Sequence, residues 1–175
     1  MSASTSGYAA SRSFTDQDGE FHQNGASLHR DGGYYVAAGA TLTLTVASHD
    51  GKCIKLDTLA GSVVTLPAAT GSGARFRFVV TVLATSNSHK IQVANASDTM
   101  QGIIFSRDDT SAAVVAFDAD ATAGADTITL NRTTTGSVVK GEVIEIEDIA
   151  INVWQVTGLI ANTGSPATPF SAAVS

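Results

Sequence analysis

Four histidines, one cysteine and a few close-set carboxylates are the only side chains in this sequence that could carry chemistry. His22, His29, His49 and His89 have neither the His-Glu-x-x-His spacing of a helical zinc site nor a cysteine nearby at ligand distance along the chain. They read as turn or surface residues. Cys53 stands alone in Lys52-Cys-Ile-Lys-Leu56, so it cannot close an intrachain disulfide and reads as a small buried apolar residue. Asp108-Asp109, and Asp118 with Asp120, fall in turns and supply too few oxygens for calcium, which takes six to eight. Glu145 and Glu147 alternate on one strand face, whereas a glycosidase places its acid and base on opposite sides of a cleft. Gly71-Ser72-Gly73 leads into a strand and not a helix, which removes a phosphate loop, and no Gly-x-Ser-x-Gly elbow occurs. The expectation is a protein that is not an enzyme, with no catalytic, cofactor-binding or metal-binding residues.

The elements that would position such residues are strands. In Ala40-Thr-Leu-Thr-Leu-Thr-Val46, Leu42, Leu44 and Val46 share one face and the threonines the other, the period of two that marks a half-buried strand. The run Ala74–Leu83 alternates likewise, with Phe76, Phe78, Val80 and Val82 inward. Arg75 and Arg77 lie outward, as a surface pair or as partners for carboxylates on another subunit. Further strands are expected at Cys53–Leu56, Val63–Leu66, His89–Val93, Met100–Phe105, Ala112–Phe117, Asp126–Leu130, Val143–Asp148 and Ile151–Val156. The apolar residues of Met100–Phe105 are expected in the core, and Trp154 is the expected anchor of the C-terminal half. Asp50-Gly51, Ala60-Gly61 and Pro67 supply turn and stop signals. No window carries the apolar spacing of an amphipathic helix over three turns.

These elements imply an all-β fold, an antiparallel sandwich or barrel with jelly-roll-like character. Residues 1–35 are read as an irregular N-terminal arm with scattered aromatics, 36–160 as the β domain and 161–175 as a C-terminal tail.

Composition narrows the function classes. Charged residues make up 15% of the chain, against roughly 25% in an ordinary soluble domain. Hydroxyl-bearing and small residues dominate, and such a surface is less costly to desolvate than an ionic one, which favours extended protein contacts. Ten Lys plus Arg against sixteen Asp plus Glu give a net charge of −6, so the basic footprint needed for nucleic-acid phosphates is missing. The N-terminal residues lack the pattern of a secretory signal, and no apolar window is long enough for a helical membrane span. Asn95-Ala-Ser97 and Asn131-Arg-Thr133 match a glycosylation acceptor pattern, which without a secretory route has no consequence.

The run Gly61-Ser-Val-Val-Thr-Leu-Pro-Ala-Ala-Thr-Gly-Ser-Gly-Ala-Arg-Phe-Arg-Phe-Val-Val80 resembles a segment of tailed-bacteriophage structural proteins, particularly capsid decoration (head or cement) proteins and some fibre proteins. Gly141–Asp148 and Asn152-Val-Trp-Gln-Val-Thr-Gly158 are similar to that family's closing hairpin. Together these segments fall within residues 50–160. The resemblance implies a homotrimeric virion protein on the outer surface of the capsid, made in the host cytoplasm, that binds the major capsid protein and stabilises the head. It implies no direct contact with nucleic acid or membrane. The alternative is a fibre or spike domain that recognises a host receptor or glycan.

Overall fold

The computed structural model describes residues 33–174, apart from the side chain of Ala121, and the backbone of three short strands before them. Those strands, β1 (Phe14–Thr15), β2 (Phe21–Gln23) and β3 (Ala26–Ser27), form an antiparallel sheet within a first unit, Met1–Tyr34. Of the rest of the expected arm, only Gly33, Tyr34 and Tyr35 are among the described residues, with both tyrosines exposed and Tyr35 opening the first strand of the next unit.

The second unit, Tyr35–Ser175, is all-β. Its strands are β4 (Tyr35–Ala37), β5 (Thr41–Thr43), β6 (Cys53–Leu56), β7 (Val63–Thr65), β8 (Arg75–Val80), β9 (His89–Gln92), β10 (Thr99–Asp108), β11 (Val114–Asp118), β12 (Thr127–Leu130), β13 (Val143–Ala150), β14 (Val153–Asn162) and β15 (Phe170–Ser171). A seven-stranded sheet runs β11-β10-β14-β13-β8-β6-β4, and a five-stranded sheet runs β15-β12-β9-β7-β5.

The sheets are mixed, which corrects the expected antiparallel, jelly-roll-like sandwich, and neither closes into a barrel. From β4 to β9 the chain visits the two sheets alternately. Successive strands of one sheet therefore run the same way, and β4-β6-β8 and β5-β7-β9 are parallel ladders. The turn signals at Asp50-Gly51 and Ala60-Gly61 mark corners between sheets. Asp50-Gly51 follows a short helix, α1 (Val46–His49), and Gly51 has φ +67°. After β9 the chain pairs antiparallel, with β12 on β9 and β13 on β8, except that β14 lies parallel to β10.

Alternation fixes the core. Phe76, Phe78 and Val80 of β8, Ile144 and Ile146 of β13, and Trp154 and Val156 of β14 point at Val64, Ile91 and Ile128 of the other sheet. Trp154 is fully buried, its ring centroid 5.9 Å from that of Phe76. Burying such a ring contributes roughly 1.5–3 kcal/mol or more. The expected tail adds to this core through its described residues, 161–174: Phe170 is buried, β15 pairs with β12, and the Ala173 and Val174 N–H groups donate to Asp126.

Two segments depart from their expected alternation. Val46 leaves the strand it was expected to extend and begins α1, exposed, because His49 Nδ1 accepts the Thr45 N–H at 3.0 Å and turns the chain. On β10 only Met100 and Ile104 enter the core. Ile103 and Phe105 point outward, since side chains alternate along the strand and only the face carrying Met100 and Ile104 meets the core.

Candidate interaction surface

The residues whose types could do chemistry are held apart, each satisfied by its local turn or strand. His89 is buried, contrary to the expected turn or surface position: Nδ1 accepts the Ser62 N–H at 2.9 Å and Nε2–H donates to the Val82 carbonyl at 2.8 Å. Both ring nitrogens serve to join two loops, and burial lowers the pKa of the ring. His49 closes α1. His22 lies on β2, with its side chain outside the described residues, as is His29 altogether. Cys53 is a buried free thiol, with Arg77 Nη1 at 3.3 Å from its sulfur. Asp108 and Asp118 accept N–H groups two residues on, at 2.9 Å each, and so shape their own turns. Among the described residues no three His, Cys, Asp or Glu side chains are grouped to hold a metal ion.

Two carboxylates that the sequence reading left without a role organise loops instead. Asp148, at the end of an Ile-Glu-Ile-Glu-Asp alternation, is buried under the loop at residues 67–73. It accepts the N–H groups of Thr70, Gly71 and Ser72 at 2.8–3.1 Å and the hydroxyls of both Thr70 and Ser72. Burial raises its pKa, but these donors, led by Ser72, outweigh burial and hold it at about 2. Glu142 is likewise buried and accepts N–H from Ser137, Val138 and Val139 at 2.6–2.8 Å. There burial prevails over the backbone donors and raises the pKa. The small-residue loop before β8 carried the only hint of Asp148's role, because consecutive N–H groups around Gly71 and Gly73 form a cradle for an anion.

The feature with most capacity for function is the outer face of the seven-stranded sheet. Its cross-strand register sets the outward residues in rows. One row reads Ala116, Phe105, Leu159, Val143 and Val79 across β11, β10, β14, β13 and β8. Phe105 is 48% exposed and Leu159 69% exposed. A groove of about 590 Å³ follows these residues. The next row reads Asp118, Ile103, Thr157, Glu145 and Arg77, and beyond it Glu147 stands beside Arg75. Arg75 and Glu147 pair at 2.9 Å, and Arg77 and Glu145 at 3.5 Å. The arginines thus meet carboxylates of their own chain, across the ladder from them, and line a second groove of about 340 Å³. The sheet therefore presents an apolar band beside a neutralised charged band. A contiguous apolar patch with a polar border is the surface expected of a protein interaction site.

Neither a scan against protein-family models nor a search of curated proteins finds a match.

Proposed function

We propose that this chain is a non-enzymatic virion structural protein, a homotrimeric capsid decoration protein that binds the outer surface of a phage head and stabilises it. The observation that carries the reading is the exposed apolar band of Phe105 and Leu159, with Ile103 exposed beside it, on the outer face of the seven-stranded sheet. Such a face gains most from broad contact with another folded subunit, because apolar area removed from water contributes roughly 25 cal/mol per Å². The segments that resemble phage head proteins support the reading, since β8, β13 and β14 lie side by side in the centre of this sheet. In function, each copy would add contacts across neighbouring capsomers and resist their separation.

The test is the native mass of the purified protein, followed by sedimentation with empty expanded heads of tailed phages. A species of three copies, or a multiple of three, that co-sediments at a saturating, symmetry-related ratio is the expected result. A monomer that stays in the supernatant overturns it.

A second reading, a fibre or spike domain that recognises a receptor or glycan, is favoured by the parallel winding of β4 to β9. Stacked coils of this kind extend along one axis and can be continued by further coils. Glycan-array binding by the isolated protein, with no binding to heads, would select it.

A further inference from the structure

We infer that the outer face of the seven-stranded sheet is a self-association surface, occupied by the same face of a second copy of this chain about a two-fold axis. This goes beyond the decoration reading and needs no shell.

The argument begins from the register. The row through Phe105, Leu159, Val143 and Val79 crosses β10, β14, β13 and β8. One step along the strands on one side lies Asp118, the ladder partner of Ile103; one step on the other side lies Arg107, the ladder partner of Val114. A half-turn about an axis along the apolar row, across the strands, lays row against row with strand directions reversed. Arg107 of one copy then stands at the level of Ile103 of the other, beside Asp118, and symmetry repeats the contact. The row is thus flanked by opposite charges that become neighbours only in a pair.

The remaining charges accept this register. Glu145 and Arg77 keep each other as partners at 3.5 Å and come level with Gly141 and Thr81 of the facing copy, so neither of them meets a like charge. Lys55, next along the row after Val79, meets its own symmetry mate at the rim of the contact, where water screens the repulsion. The five strands span about 19 Å at ~4.8 Å spacing, and Gln101 to Arg107 spans about 20 Å. The projected area is on the order of 400 Å², larger once side-chain relief is counted, against roughly 500 Å² per partner where specific interfaces begin. Strand-on-strand packing of two such faces resembles the inner packing of an aligned sandwich.

The test is the native mass of the full chain, wild type and variants, by sedimentation equilibrium. The wild type is expected to contain an even number of copies: two, or six where the pair joins trimers. The double substitution Phe105→Ser with Leu159→Ser removes exposed side chains only, and is expected to halve the mass with an unchanged far-UV circular dichroism spectrum. Arg107→Asp alone is expected to weaken the pair about tenfold or more, and adding Asp118→Arg is expected to restore it. A wild-type mass of one or three copies overturns the inference, as does an even mass that the double substitution leaves unchanged. Three copies that still bind heads would overturn the paired face while leaving the decoration reading standing. An even species that ignores heads would do the reverse.

Discussion

Asp148 fixes the loop at residues 67–73 and His89 joins two loops, and each makes stability depend on pH. The Asp148 carboxyl is held at about 2, below the roughly 3.9 of an unfolded aspartate. A depressed pKa gives stability that is full above the unfolded value and is lost as pH falls toward 2. Asp148→Asn replaces an acceptor by an amide whose N–H groups face the donors of Thr70, Gly71 and Ser72. We expect a loss of about 2–4 kcal/mol in urea unfolding at pH 7, shrinking as both proteins are compared at pH 4, 3 and 2. His89 is also depressed, here because burial disfavours the imidazolium. Its contribution is full above the unfolded value of about 6.5 and falls as pH drops through the lower folded value. Protonation of Nδ1 would also set a donor against the Ser62 N–H. A nitrogen-detected NMR titration should place the ring's midpoint below 6.5, with the proton of the neutral form on Nε2; a midpoint at or above 6.5 would contradict the assignment.

At the scale of elements, β10 is the strand on which both the core and the outer face depend. Gly102 sits in its middle at φ +128°, and a Cβ there would overlap the carbonyl oxygen of Val156 on the parallel neighbour β14. Gly102→Ala is expected to cost about 1–3 kcal/mol from the backbone conformation alone, with a further cost from the displaced ladder. Calorimetry should record a fall of several degrees in Tm for a domain of this size. A Tm unchanged within error would mean that the strand relaxes around the methyl group. The same strand shows what the sequence made legible and what it hid. Strict alternation in Phe76, Phe78 and Val80, and in Ile144 and Ile146, placed those side chains inward because each strand has a polar opposite face. Ile103-Ile104-Phe105 offers no such contrast, so periodicity could not say which two of the three would stay outside. The cradle around Asp148 was hidden for a different reason. Its donors are backbone groups 76–78 residues away in sequence, which no spacing of side-chain types encodes.

For the whole molecule, strand content was readable and strand direction was not. A turn that sends the chain back along its own sheet and a corner that sends it to the opposite sheet use the same Gly and Asp residues, as at Asp50-Gly51 and Ala60-Gly61. Their difference lies in which faces become buried together, a property of the assembled core. The candidate surface was beyond reach for the same reason. Phe105, Leu159, Val143 and Val79 come from four strands whose adjacency follows from the mixed topology. That topology also predicts slow folding, in the range of milliseconds to seconds, because Met100 must find Trp154 and Arg75 must find Glu147 across long intervening chain. Stopped-flow tryptophan fluorescence should follow it through Trp154; relaxation within microseconds would exclude such a barrier.

The alternating path of β4 to β9 has a mechanical consequence. Tyr35 opens the second unit on a three-residue strand at one edge of the seven-stranded sheet, and Phe170–Ser171 closes it at the far edge of the five-stranded sheet. A pull on these two ends lifts β4 and β15 from their neighbours a few hydrogen bonds at a time, as a zip opens. A load spread over the broad face of the sheet instead presses two layers together across the packed side chains of Trp154, Phe76 and Ile128. The body is built to bear pressure across its layers and to yield to tension along its chain.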